Sequence, residues 1–263
     1  MELPKQRAVR VGRDILRANA HQCNNLLVTQ LLDTLEGHYG PQSPNWPTDP
    51  YLFLVWWHCG YPASDAACAK GWESLKTRIG LGPDRLLAAE PSQLALALKP
   101  GGMVPELRGM RLKEIAARVQ NEFGGDLTAA LKGLPIPRAR AALRKFPGIA
   151  GPGADRILLF GGLSAVPAVP SNCPHVLVRI YRRQLPGHEH ENYGRDYAFA
   201  QETIAAGTPA TFDARMRAYL LLKLHGQQIC KRSGPKCGVC PVAPSCAWAA
   251  SRSDTPKRNV KAV

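Results

Sequence analysis

Leu143-Arg144-Lys145-Phe146-Pro147-Gly148-Ile149-Ala150-Gly151-Pro152-Gly153-Ala154-Asp155-Arg156-Ile157-Leu158-Leu159-Phe160 reads as a helix, a tight glycine turn and a second helix. Such a hairpin presents successive backbone N–H groups at a helix N-terminus, where a phosphate can bind with no base preference. Gly148, Ala150, Gly151 and Gly153 form the turn, and the glycines permit close approach of an anion. Arg138, Arg140, Arg144 and Lys145 lie just before it and add charge to that contact. Taken alone, a glycine-rich turn between helices is more often a plain C-cap, so its meaning depends on the rest of the chain.

Working outward, helical signals dominate and strand signals are scarce. Leu26–Leu35, Tyr51–Leu75, Arg111–Phe123, Arg138–Phe146, Asp155–Leu163 and Phe212–His225 carry helical patterning, which predicts an all-α fold. Turn chemistry separates these stretches at 40–47, 100–102, 124–126, 135–137 and the proline-rich run 166–174. No repeat at solenoid periods and no low-complexity tract is present. The 263 residues, 45% hydrophobic, suffice for a substantial core. No apolar run approaches the ~18 residues of a membrane span and no apolar leader occurs in 1–17, so a cytoplasmic protein is expected. The balance of 34 Lys and Arg against 20 Asp and Glu gives +14, which points to a polyanionic partner.

Four of the eight cysteines, Cys230, Cys237, Cys240 and Cys246, follow the spacing C-x6-C-x2-C-x5-C. Four thiolates gathered by one short loop suit either an iron–sulfur cluster or a structural zinc. Zinc ribbons present two matched C-x2-C knuckles, whereas this loop has one such pair flanked by longer, unequal arms, which favours a [4Fe-4S] cluster. Cys23, Cys59, Cys68 and Cys173 are far apart in sequence and read as reduced or buried thiols.

The hairpin, followed downstream by Leu224-His225-Gly226-Gln227-Gln228-Ile229-Cys230 and the cysteine loop, resembles the endonuclease III family of base-excision DNA glycosylases. These belong to the helix-hairpin-helix superfamily, and the cysteine gaps match the family's iron–sulfur loop. The likeness continues at Pro50–Leu75, with Ser64-Asp65 where the family often has Thr-Asp, and at Arg108–Phe123 followed by Leu127–Leu134. The resemblance implies two α-helical lobes flanking a DNA-binding cleft. Residues 49–168 would form a six-helix barrel with the hairpin at about 143–160; 1–48 and 169–250 would form the cluster domain, and 251–263 a basic tail. It further implies a monomer that binds double-stranded DNA carrying a damaged base or abasic site. In it Lys231, Arg232 and Lys236 would face phosphates from the cluster loop.

The family's chemistry is where the chain departs. The family nucleophile is a lysine after the hairpin turn, which attacks C1′ to form the Schiff base of a lyase. Aligned on Pro147-Gly148, that position is Pro152, and no lysine occurs between Lys145 and Lys223. Lys145 precedes the turn and suits a phosphate contact better than a nucleophile. The family's aspartate, which stabilises the sugar cation and assists water, corresponds to Pro170 or, with His175 matched to the family histidine, to Cys173. No Asp or Glu lies between Asp155 and Glu189. Candidate substitutes are Asp155, His58, Asn172 and His175, while Tyr61 is positioned to stack in the gap left by an everted base. The function expected is therefore a DNA glycosylase without lyase activity. The alternatives are a catalytically silent lesion-binding protein and, further off, a zinc-stabilised DNA-binding module.

Overall fold

The protein is described here by a computed structural model in which residues 26–60, 62, 64–182 and 192–253 are placed. Among the described residues it is all-α, with thirteen α-helices, three short 3-10 turns and no strand. In chain order the helices are α1 (Val28–Tyr39), α2 (Pro50–His58), α3 (Asp65–Arg78), α4 (Pro83–Ala88), α5 (Pro91–Leu98), α6 (Pro105–Phe123) and α7 (Leu127–Leu131). They continue with α8 (Ile136–Leu143), α9 (Gly151–Phe160), α10 (Pro174–Tyr181), α11 (Tyr193–Gly207), α12 (Phe212–Gln228) and α13 (Ala247–Ser253). The chain divides into two compact units, one of residues 41–171 with 208–220, the other of the residues up to 40 with 172–207 and those from 221 onward. We call them the hairpin unit and the cysteine unit.

In the hairpin unit the ends of the helices are written in side chains. Asp49 accepts from Leu52 N–H at 2.8 Å and Pro50 occupies the first turn of α2; Ser64 caps α3 and Asp126 caps α7. Prolines also open α4, α5 and α6, where a missing N–H costs nothing. The stretch Tyr51–Leu75, patterned as one helical run, is two helices because the chain turns after Cys59. α2 is apolar nearly all round and is accordingly buried, whereas α6 sinks only one stripe, Leu112, Ile115, Ala116 and Val119. Gly109 lets α6 approach α5 closely, since a Cβ there would stand 3.2 Å from Leu94 Cβ. Leu54, Leu75, Leu94, Leu112, Leu143 and Leu159 form part of one continuous core that also takes in Tyr219 and Leu220 of α12.

The cysteine unit packs α10 against α11 and α13, and α11 against α1. α10, α11 and α13 lie where sequence patterning predicted no helix. For α10 the reason is visible: Pro174, read as the end of a proline-rich turn, sits in the first helical turn, where proline is compatible with a helix. The α10 segment buries Val176, Leu177, Val178 and Ile180 together with His175 and Arg179. No described helix is long and apolar enough to cross a membrane.

Candidate functional site

The hairpin is a helix, a turn and a second helix, and both helices lie a few residues N-terminal of the expected Arg138–Phe146 and Asp155–Leu163. α8 ends at Leu143, the chain folds back through hydrogen bonds from Phe146 N–H to Leu143 O (3.1 Å) and Ile149 N–H to Phe146 O (3.2 Å), and α9 starts at Gly151. Gly148 has φ +70°, the left-handed region that favours glycine. Leu143, Phe146, Ile149, Ala154 and Ile157 point inward and fix the turn from below, leaving Gly148 and Ala150 exposed and Gly151 and Gly153 half-buried. No side chain caps α9. Its first-turn amides at Gly151 and Gly153 are thus offered outward at the positive end of the helix, and Pro152 between them has none to offer. Arg138 and Arg144 are exposed on the approach to this turn. Lys145 is exposed too, and its Nζ lies 3.7 Å from Glu122 Oε2.

Two of the sequence candidates for chemistry are built into the hairpin. Asp155 is buried and its Oδ1 accepts from Arg140 Nε at 2.5 Å, an ion pair that ties α9 to α8. His58, at the end of α2, is fully buried, with Nε2 2.9 Å from the Pro147 carbonyl oxygen. Burial, with smaller contributions from the nearby Arg111 and Arg108 charges, lowers its pKa to about 4, against the opposing effect of the Pro147 hydrogen bond. Tyr61 lies outside the described residues.

The same unit carries a feature that sequence patterning passed over. Val104 precedes α6 with φ +49°, a conformation in which a β-branched residue is strained. Met103 and Val104 are 75% and 51% exposed, so two apolar side chains stand in solvent at the strained point. Fully buried Arg108 holds this loop from inside: Nε donates to Met103 O at 3.0 Å, Nη2 to Leu98 O at 3.0 Å and Gly102 O at 2.8 Å, and Nη1 to Cys59 O. The turn signal Pro100-Gly101-Gly102 marked the place, but nothing local marks Arg108 as its support.

In the cysteine unit, Cys230, Cys237, Cys240 and Cys246 line one shared pocket. Short turns at Cys237–Val239 and Ala243–Ser245 carry the loop around it, and Cys230 N–H donates to His225 O at 2.8 Å. Arg179, 1% exposed, donates to Lys231 O at 2.7 Å and Arg232 O at 2.8 Å, lies 3.6 Å from Cys230 Sγ and stacks on Trp248. His175 is buried with Nε2 2.7 Å from Cys230 O, so this candidate braces the loop; Asn172 is exposed. His225 bridges Tyr39 Oη (2.9 Å) and Cys240 Sγ (3.7 Å). Burial pushes the Cys230 thiol up to about 11 and raises Cys240 and Cys246, so ionising these thiols calls for a compensating cation. Among the described residues no three Cys, His, Asp or Glu converge closely enough to hold a single ion. The side chains of Lys231, Arg232 and Lys236 are exposed around the loop.

Solved structures share the fold. The chain is similar to endonuclease III trapped covalently on DNA, with a TM-score of 0.64 and 17% identity over 87% of this chain and 99% of that one. A thermostable thymine-DNA glycosylase gives 0.65 and 19% identity over 85% and 97% of the two chains. The fold is endonuclease III-like. In sequence the chain is 24% identical over 167 residues to a thymine/uracil-DNA glycosylase of Pyrobaculum aerophilum, covering 61% of this chain. The match spans 64% of that relative's length. No family model matches.

Proposed function

We propose that this chain is a base-excision DNA-repair protein that grips duplex DNA through the turn from Gly148 to Gly153 and acts on an everted base without forming a Schiff base. The observation that carries the proposal is the uncapped N-terminus of α9 behind an exposed glycine turn, flanked by Arg138 and Arg144. Exposed Met103 and Val104, strained and held by Arg108, have the character of an apolar wedge for the space an everted base leaves. Cys230, Cys237, Cys240 and Cys246 would hold a [4Fe-4S] cluster. Their shared pocket and the guanidinium of Arg179 beside Cys230 suit an anionic multi-thiolate group. The cluster would supply positive iron charge that keeps the thiols ionised and the loop fixed; redox chemistry forms no part of the proposal.

Pro152 cannot donate an amine to C1′, and Lys145 sits before the turn beside Glu122. A glycosylase limited to base hydrolysis is the first assignment. The engagement of Asp155 with Arg140 and the burial of His58 favour a second, a lesion-binding protein with no catalysis. Duplexes bearing single modified bases separate them when base release and strand nicking are scored independently. Release without nicking supports the first, and tight lesion binding without release supports the second. Efficient borohydride trapping on abasic-site DNA would overturn both.

A further inference from the structure

We propose that His58 is a positioning residue for the anion-binding turn: a neutral imidazole carrying its proton on Nε2, it draws the Pro147 carbonyl inward and thereby aims the Gly148 N–H at the incoming phosphate. A carbonyl oxygen can only accept, so the 2.9 Å contact from Nε2 fixes the proton on that nitrogen. Nδ1 is buried with no hydrogen-bond partner, so an imidazolium would bury a second donor without an acceptor, close to Arg108 and Arg111. The fully buried ring is therefore held neutral and in one tautomer.

The consequence for the turn follows from peptide planarity. C=O and N–H of one trans peptide point in opposite directions, so pulling the Pro147 oxygen into the protein directs the Gly148 N–H away from it. That amide takes no part in the turn's own hydrogen bonds, which use Phe146 and Ile149 as donors. The ring also forms the floor of the turn, because a Cβ on Gly148 would lie 3.3 Å from His58 Cε1. A side chain far from any ligand in sequence thus selects one orientation of the peptide an anion would meet, and proton transfer has no place in that role.

The inference rests on the proposed DNA contact of the turn, and the test separates the two. The full-length protein would be titrated with a labelled duplex containing a tetrahydrofuran abasic-site analogue, using His58→Gln, His58→Asn and His58→Leu. Glutamine places an amide N–H near the original Nε2 and should keep affinity within about twofold. Asparagine, too short, and leucine, with no donor, should each weaken binding about tenfold. The salt slope should be unchanged because no phosphate-contacting cation is removed. Gly151→Asp is the companion variant: a Cβ there meets nothing within 4 Å, and its carboxylate would repel a phosphate. If Gly151→Asp leaves affinity intact, the turn does not contact DNA, and the role of His58 falls with it. If Gly151→Asp weakens binding while His58→Leu does not, the DNA contact stands and the His58 proposal alone is overturned. Imidazole ¹⁵N shifts add a readout independent of DNA: the neutral Nε2–H form is expected at pH 7, and the Nδ1–H form would overturn the proposal.

Discussion

The hairpin turn and the cysteine loop are irregular segments fixed in opposite ways. Beneath the hairpin turn lie Leu143, Phe146, Ile149 and Ile157 of a continuous apolar core, with one ion pair and one imidazole contact added at its edge. Around the cysteine loop the work falls to buried polar groups, Arg179, His175 and His225, reaching backbone carbonyls and a sulfur. A loop of short 3-10 turns buries little apolar surface and cannot be held by the hydrophobic effect alone. The hairpin should accordingly persist without a cofactor, whereas the cysteine loop should depend on whatever its thiols bind.

The largest effect tests that contrast directly. Protein prepared anaerobically should be brown and contain about four irons. Cys240→Ser should lose that colour and the hydrogen-exchange protection of residues 229–250, while protection of α8 and α9 stays near that of the parent. Equal loss in both units would break the comparison, and a colourless preparation with one zinc per chain would replace the cluster.

Next in size is a charge buried among aromatic rings in the hairpin unit. Arg156, 5% exposed, has Nε and Nη2 without hydrogen-bond partners and instead lies 3.9 Å from the centre of the Trp46 ring and 4.7 Å from that of Phe53, with Trp56, Trp57 and Tyr219 within 6.0 Å. Arg156→Ala should cost about 3–5 kcal/mol through the void left among these rings. Arg156→Met, which fills the space without a charge to desolvate, should stay within about 1.5 kcal/mol of the parent in urea unfolding. The reverse order would mean that the charge itself, rather than its volume, holds the box together.

Arg156 also marks the limit of what was legible in the sequence. The helical period, the glycine turn and the cysteine spacing are local signals, and the all-α architecture, the hairpin and the shared thiol pocket were read from them. Short helices opened by proline, such as α5 and α10, were missed because the same residue marks both a turn and a first helical turn. The supporting residues were less legible still. His58 and Pro147 are 89 positions apart and Arg179 and Lys231 are 52, and no pattern at either end announces the partner. Asp155 and His58 are candidates for chemistry by their positions on the hairpin's second helix and on the Tyr51 helix, and neither position announces the partner each has in the hairpin.

The buried imidazole gives a smaller effect, with a sign that can be derived. His58 titrates near 4 in the folded chain against 6.5 when free, so between those values the unfolded chain takes up a proton that the folded one refuses. Stability should therefore fall as pH drops from about 6.5 to about 4, by up to roughly 3 kcal/mol from this residue. His58→Gln should flatten that part of the pH profile. The contribution of His225, also lowered to about 4 by burial, should remain in the variant. A profile identical to the parent's would mean that His58 is not held neutral by the fold.

The smallest effect on folding belongs to the exposed cations of the cysteine loop, and it sharpens the comparison most. Arg179 holds the carbonyls of Lys231 and Arg232, so the backbone there is fixed from inside and the side chains of Lys231, Arg232 and Lys236 extend into solvent. Replacing all three with alanine should change stability by no more than about 0.5 kcal/mol, since no buried group is disturbed. Binding to duplex DNA should nevertheless weaken for every sequence alike, and the slope of log affinity against log salt should flatten by up to about three units. Arg179→Met should do the opposite, lowering stability while removing no exposed charge, because it strips two carbonyls of their buried donor. If the triple variant instead unfolded the loop, the cations would be part of its internal support, and the division between a braced backbone and free phosphate-facing side chains would fail.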